Sequence, residues 1–434
     1  MKQAVILAGG KGTRLKSVSG EFPKPMVPVL GKPVLRHLIE QCANYGFLDL
    51  HLLVSYKSEV IEEFFGDGSQ YGLSIRYHKE DVPLGTAGAL LDLMPQLKER
   101  FLVLYGDTYS GVDLSRFWDF HEFSGGDASL FLHPNDHPKD SDLVEVDKNF
   151  RITAIHGYPH DGEWHRNLVN AAIYIINKSS LIDVRLNSER PDIAKVLFPL
   201  LLQSGCKLNG YLSTEYIKDM GTPERLSAVE QDILSGKVES LKQTSKKKAL
   251  FLDRDGVLNK EVDHISRPEQ LELLPGVGKA VRKANLAGIL VVVVTNQSVV
   301  ARGELTEADL QLIHNKLDTL LGIDGAYIDR LYYCPHHPDS GFYGEILELK
   351  IGCSCRKPKP GLLLQAAEEL NISLEDSWMV GDRTGDILAG ERAGVHTILV
   401  NTGYAGNDGK YSVAPDFAVE DLTVAVDQVL RSGE

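Results

Sequence analysis

No part of this 434-residue chain approaches the roughly 20 uninterrupted apolar residues of a membrane span. That excludes a bundle of membrane helices. Cysteine is scarce: there are five, too few and too unevenly spaced for a disulfide framework. Cys42 and Cys206 stand alone and read as small core residues. Positive charge is also in deficit, with 46 Lys and Arg against 60 Asp and Glu, a net charge of −14. The deficit argues against a nucleic-acid partner. It further implies that any phosphate substrate is met by cations, amides or metal gathered locally. No internal repeat or low-complexity tract is visible. The opening Met1–Gly10 lacks the long apolar core of a signal peptide and reads as a strand running into a loop. A cytoplasmic location fits these absences. Nothing in the sequence specifies an oligomer.

What is present is an alternation. Short apolar runs at Gln3–Leu7, Leu50–Val54, Phe101–Tyr105, Leu250–Leu252, Ile289–Thr295, Ser377–Val380 and Thr397–Val400 read as buried parallel strands. Between them lie helical patterns, among them Val34–Tyr45, Gly276–Ala287, Thr306–Leu321 and Gly361–Leu370. Such alternation predicts an α/β protein whose mostly parallel sheets are flanked by helices. The polar stretch 236–248, ending in Lys246–Lys248, reads as a solvated linker between domains at 1–235 and 249–434.

The first strand runs into Gly9-Gly10-Lys11-Gly12-Thr13-Arg14, small residues whose amides can cradle phosphate beside a hydroxyl and a fixed cation. Lys24 follows between Pro23 and Pro25, which stiffen its backbone. This pair resembles the sugar-1-phosphate nucleotidyltransferase family up to about residue 235. Four later segments match in order. They are Leu84–Ala89 with Gly85 and Thr86, Tyr105-Gly106-Asp107, Asn170–Tyr174, and Lys218-Asp219-Met220-Gly221-Thr222-Pro223. The resemblance implies base and ribose contacts at Gly85 and Thr86 and a sugar contact at Asn170. It implies Mg²⁺ on Asp107 and Asp219, with Arg14 and Lys24 screening the phosphates. A Glu-Lys pair that the family often carries before the sugar-contacting Asn is replaced here by Ile155–Pro159.

The second half opens with Phe251-Leu252-Asp253-Arg254-Asp255-Gly256, two carboxylates two residues apart at a strand end. One can attack phosphorus while the other shuttles the leaving-group proton. With Thr295-Asn296, Arg356-Lys357-Pro358 and Gly381-Asp382-Arg383-Thr384-Gly385-Asp386, the set resembles the haloacid dehalogenase superfamily of phosphatases. The resemblance makes Asp253 the nucleophile and Asp255 the acid/base. Thr295, Asn296 and Arg356 become phosphate contacts, and Lys357 becomes the catalytic cation that stabilises phosphate and nucleophile. Asp253, Asp255 and Asp382 enter the Mg²⁺ ligand set, with Asp386 supporting from behind. Cys334-Pro335-His336-His337 and Cys353-Ser354-Cys355 together offer four soft ligands, enough for a closed, structural Zn²⁺ site. Spacing leaves His336 and His337 both open; the resemblance favours His336.

Two phosphatase groups share this combination, those acting on D-glycero-D-manno-heptose 1,7-bisphosphate and on histidinol phosphate. The first half in turn resembles the heptose-1-phosphate guanylyltransferase branch. Joined, the resemblances imply consecutive steps: the α-1,7-bisphosphate loses its 7-phosphate, and the heptose 1-phosphate receives GMP from GTP. The alternatives are a histidinol-phosphate-type phosphatase joined to a transferase of other specificity, and a binding protein without turnover. The latter is disfavoured by the intact Lys24, Asp107, Asp253 and Asp255.

Overall fold

Apolar runs without polar alternation have both faces to bury, so they become the interiors of sheets covered by helices. The computed structural model describes residues 2–10, 22–80, 82–160 and 162–432, and each of the seven apolar runs lies within or overlaps a strand. Gly12, Thr13 and Arg14 lie outside the described residues. The chain forms two compact units.

In the N-terminal unit the strand Lys2–Leu7 is central. It runs parallel to Phe47–Val54 on one side and to Arg100–Tyr105 on the other, and Ser74–Lys79 extends the parallel run. Beyond Arg100–Tyr105 the sheet turns antiparallel through Val169–Asn177, and Leu143–Val146 with Ile152–His156 forms a hairpin. The sheet is therefore parallel at its centre and mixed on one flank. Parallel pairing needs a crossover, here the helices Val34–Asn44 and Ser58–Phe65, whereas the five residues between Val146 and Ile152 suffice for an antiparallel turn. Ala4, Ile6, Leu50, Leu52, Leu102 and Leu104 are in the core.

The C-terminal unit has one six-stranded sheet, all parallel. Its order is Arg330–Cys334, Leu290–Asn296, Ala249–Leu252, Trp378–Gly381, His396–Val400, Phe417–Val419. Chain order reverses at Ala249–Leu252, whose neighbours come from opposite directions along the sequence. Ligands of such sheets bind at the carboxyl ends beside that reversal. Helix starts are written locally: Thr306 and Asp309 cap Glu307–Ile323 reciprocally, and the Asp421 carboxylate accepts the Val424 amide at the start of Leu422–Arg431.

The expectation of a solvated linker is corrected by the structure. Lys237–Ser240 is helical with Val238 buried, and Lys247 is only 2% exposed. The Lys247 amide donates to Asn371 O, and Ser373 N donates to Lys247 O, so backbone pairing holds the run in place against its charge. The C-terminal unit also takes in residues 134–141 and 159–168, which the sequence reading left to the first half. There Asn167 N donates to Asp318 Oδ2, and Asn315 Nδ2 to Trp164 O.

Candidate active sites

Strand Lys2–Leu7 delivers Gly9 and Gly10 to the carboxyl edge of the first sheet, and Arg100–Tyr105 delivers Gly106 and Asp107 beside them. Gly106 N donates to Leu7 O at 2.9 Å. A side chain at Gly106 would meet Leu7 O at 3.1 Å and Ala8 at 3.3 Å, which accounts for the small residues on both strands. Lys24 begins a short 3₁₀ turn after Pro23, and its ammonium forms an ion pair with the Asp107 carboxylate. Asp219 comes alongside because Ile217–Asp219 pairs antiparallel with Thr108–Ser110, in the register Thr108 to Asp219. Arg225 Nη1 donates to both Asp219 oxygens at 2.7 and 2.8 Å. Sequence reasoning missed Arg225, although the helix start Thr222-Pro223 placed it in the first turn of the helix that follows Asp219. These two carboxylates form an oxygen donor set of the kind Mg²⁺ takes.

Gly85 has φ +73°, and a Cβ there would lie 2.5 Å from Arg190 C, so only glycine lets this segment approach residues 190–191. The Thr86 hydroxyl donates to Asp192 Oδ2 and accepts the Ile193 amide. Its described partners are thus protein groups that seat the start of helix Gly85–Asp92. Asn170 Oδ1 accepts the Ala172 amide at 3.1 Å inside a bulge.

In the second unit Asp253 stands at the end of the reversal strand, with Asp382 from the neighbouring strand and Asp386 from the helix Thr384–Ala393. All three are buried, and one oxygen of each lies within 4.8 Å of the others. Lys357 Nζ bridges Asp253 Oδ1 at 3.0 Å and Asp386 Oδ1 at 2.6 Å. Burial pushes Asp253 up to about 7; Lys357 opposes the rise, and Asp386 and Asp255 add to it. Asp382 rises to about 8, first by burial and then by the charges of Asp253 and Asp386. Its Oδ2 accepts Tyr404 N at 2.7 Å, while its Oδ1 is buried with no hydrogen-bond partner among the described residues. Three crowded carboxylates and an orphaned oxygen are what a divalent cation would relieve.

Asp255 is not part of this group. Its carboxylate accepts Arg254 Nε and Nη2, Asn259 Nδ2 and Gln297 Nε2, all between 2.9 and 3.1 Å. Burial pushes Asp255 up, but Arg254, Asn259 and Gln297 outweigh it and hold the carboxyl below its ordinary range. A place for Asp255 among the metal ligands is therefore not supported by the geometry. Gln297 and the buried pair Arg254–His314 were missed by the sequence reading. Gln297 sits directly after Thr295-Asn296, which was the available signal. Asn296 clasps the backbone of Lys357: its Oδ1 accepts Lys357 N and its Nδ2 donates to Lys357 O, each at 3.1 Å. Thr295 Oγ1 accepts Gln297 Nε2.

Cys334, His336, Cys353 and Cys355 converge, with sulfur–sulfur separations of 3.2 to 3.5 Å and His336 Nδ1 at 3.3 Å from Cys355 Sγ. His337 faces the other way, its Nδ1 accepting Asp339 N and its Nε2 lying 3.5 Å from Arg302. Arg356 Nη1 donates to His336 O.

A model of the nucleotidyl transferase family matches residues 3–236, and a HAD-hydrolase-like model matches residues 354–425. Mannose-1-phosphate guanylyltransferase of Mycobacterium tuberculosis is 37% identical over 235 residues, 54% of this chain; the chain spans 65% of that relative's length. D-glycero-beta-D-manno-heptose-1,7-bisphosphate 7-phosphatase of Haemophilus ducreyi is 45% identical over 161 residues, 37% of this chain and 86% of the relative. The crystal structure of a D,D-heptose 1,7-bisphosphate phosphatase from B. bronchiseptica, complexed with magnesium and phosphate, is 34% identical. It covers 43% of this chain and 99% of that one, with a TM-score of 0.39.

Proposed function

Since the chain belongs to the nucleotidyl transferase family through its first half and to the HAD-like phosphatases through its second, we propose that it performs two consecutive steps towards GDP-heptose. The phosphatase half removes the 7-phosphate of D-glycero-D-manno-heptose 1,7-bisphosphate. The transferase half then joins GMP from GTP to the heptose 1-phosphate that remains. One observation carries this reading: the buried Lys357–Asp253–Asp386–Asp382 constellation shares a chain with a nucleotide-transfer fold that needs a sugar 1-phosphate.

Asp253 Oδ1 is held by Lys357 and by the Arg254 amide, so Oδ2 attacks the phosphorus and the bond from phosphorus to the C7 oxygen breaks. The donors around Asp255 keep it ionised at rest. The arriving phosphate adds negative charge that favours uptake of one proton from solvent by Asp255; that proton passes to the departing alkoxide, and the proton Asp255 later gains returns to solvent as the product phosphate leaves. Asp255 then takes a proton from water, which cleaves the aspartyl phosphate and restores Asp253. In the other half an oxygen of the sugar 1-phosphate attacks the α-phosphorus of GTP and pyrophosphate leaves. Lys24 and Arg14 screen the converging phosphates, and no covalent intermediate is required. Mg²⁺ would be held by Asp253 and Asp382 in one half and by Asp107 and Asp219 in the other, supplying charge neutralisation for phosphate oxygens. Zn²⁺ on Cys334, His336, Cys353 and Cys355 would be structural, since four protein ligands leave no open position. Cysteines that are reduced, three of them gathered as metal ligands, support placing the enzyme in the cytoplasm.

The test is one incubation with Mg²⁺, GTP and the heptose 1,7-bisphosphate, following phosphate, pyrophosphate and nucleotide-sugar by mass spectrometry. Both anomers are supplied, because the first half implies α while the Haemophilus relative's name specifies β. GDP-heptose with both by-products is expected. Asp253→Asn should abolish phosphate release and spare pyrophosphate formation from supplied heptose 1-phosphate; Lys24→Ala should do the reverse. Loss of both activities from either change, with the protein folded, overturns the two-site reading.

A further inference from the structure

After the strand His396–Val400 the chain bends through a loop that its own backbone does not favour. Gly403, Ala405 and Gly406 have φ of +59°, +50° and +75°, and Ala405 takes this conformation without glycine's freedom. Bonds to other segments hold it there. Thr402 Oγ1 donates to Gly256 O at 2.6 Å, Tyr404 N to Asp382 Oδ2 at 2.7 Å, and Gly406 N to Asp382 O at 2.8 Å. Asp382 is thus fixed at one carboxylate oxygen and at its carbonyl by the residues on either side of Ala405.

The Tyr404 side chain makes a second set of contacts. Its ring centroid lies 3.8 Å from the Arg383 guanidinium carbon, and its hydroxyl donates to Asp263 Oδ1 at 2.7 Å. Arg383 Nη2 pairs with Glu261 Oε2 at 2.9 Å, and Glu261 Oε1 accepts the Asp263 amide at 2.6 Å. Four residues therefore form a closed circuit, from Glu261 to Arg383 to Tyr404 to Asp263 and back. The circuit ties the segment after the D-x-D-G motif to the loop that holds Asp382. The Glu261 side chain is 12% exposed and that of Arg383 31%, so water screens these contacts only in part.

Asp382 needs such a hold. It shares the centre with Asp253 and Asp386, and three carboxylates with oxygens within 4.8 Å of one another repel. Lys357 offsets the repulsion for Asp253 and Asp386, to which it is bonded, whereas Asp382 is held by the Tyr404 amide. We propose that Tyr404 is a positioning residue for divalent-cation binding: its ring, seated on Arg383, keeps its own amide on Asp382 and so keeps that carboxylate facing Asp253 and Asp386. The proposal rests on the reading of this trio as the Mg²⁺ site of the phosphatase half. Tyr404 touches no reacting atom and acts through Asp382.

The measurement is Mn²⁺ binding to the full chain, read from the electron paramagnetic resonance of the free ion, with Asp382→Asn titrated in parallel to isolate the share of this centre. Tyr404→Leu should weaken that share about tenfold, and Tyr404→Phe, which keeps the ring, should stay within about twofold of wild type. Glu261→Gln loosens Arg383 from the other side and should weaken binding in the same direction, which carries the test if Tyr404→Leu does not fold. The Mg²⁺ concentration that half-activates phosphate release should rise by the same factor, with kcat at saturating Mg²⁺ and the substrate KM retained. Wild-type Mn²⁺ affinity in Tyr404→Leu and Glu261→Gln, or equal weakening by Tyr404→Phe and Tyr404→Leu, would overturn the proposal. So would a fall in kcat at saturating Mg²⁺ with Mn²⁺ affinity intact, the mark of a structural role. Mn²⁺ binding that Asp382→Asn leaves unchanged would instead refute the metal site itself, and the proposal with it.

Discussion

Asp382 sits beneath two glycines. Gly256 has φ +80°, and a Cβ there would lie 2.3 Å from Asp382 Oδ2; Gly403, at φ +59°, would bring one within 2.2 Å. Gly256→Ala therefore strains the backbone and displaces the carboxylate that shares the site with Asp253. We expect phosphatase kcat to fall roughly 100-fold while the unit stays folded and the transferase is unchanged, measured on the two half-reactions separately. Wild-type kcat in Gly256→Ala would show that Asp382 has room to move. At this scale the D-x-D-G residues were legible because their spacing and strand-end position state their chemistry. The Asn296 clasp on Lys357 was not. Its partner lies 61 positions away, and an amide beside a phosphate site reads equally well as a phosphate donor.

Among the elements, the segment from Cys334 to Cys355 has little regular structure of its own, only the 3₁₀ turn Leu347–Leu349 between its cysteines. Its shape depends on side-chain ligation and on the Glu345 carboxylate, which accepts the amides of Gly341 and Phe342. Stripping metal with a strong zinc chelator, then restoring Mg²⁺, should lower phosphatase activity at least about tenfold, because Arg356 and Lys357 follow the last cysteine directly. Transferase activity and far-ultraviolet circular dichroism should change little. Full phosphatase activity at a measured zinc content of zero would remove the structural role from this site. Elements themselves were the most legible feature. The helices expected at 361–370 and 276–287 differ from the observed ones by at most a residue at each end, since caps and apolar period agree there. The mixed flank of the first sheet was less legible, because short hairpins there carry neither long apolar runs nor strong turn signals.

For the molecule as a whole, two units with separate cores predict two unfolding transitions, and the N-terminal one carries a buried acid-sensitive cluster. His51 lies against Gln3, Arg76 and His78, with Nδ1 2.8 Å from His78 Nε2, and burial and then His78 push it down to about 4. A histidine with a depressed folded pKa binds more protons when unfolded. Its contribution is complete above the unfolded value near 6.5 and is lost as pH falls towards 4, up to about 3 kcal/mol. Calorimetry from pH 7 to 4.5 should show the N-terminal transition falling more steeply in wild type than in His51→Gln; parallel slopes would assign the acid sensitivity elsewhere. Residues 134–141 and 159–168 were invisible as members of the second unit, because membership is decided by contacts such as Asn167 with Asp318 and not by local composition.

The pairing around Lys247 decides where this chain can be cut. Asn371 Nδ2 donates to the carbonyls of Gln243 and Ser245, and Lys247 exchanges backbone bonds with Asn371 and Ser373. The run that looks from composition like spare tether is a rung of the phosphatase. Trypsin offered native protein should leave Lys247 intact, and a recombinant phosphatase half begun at Ala249 would discard the backbone pairing of Lys247 with Asn371 and Ser373. Begun at Gln243, it keeps that pairing.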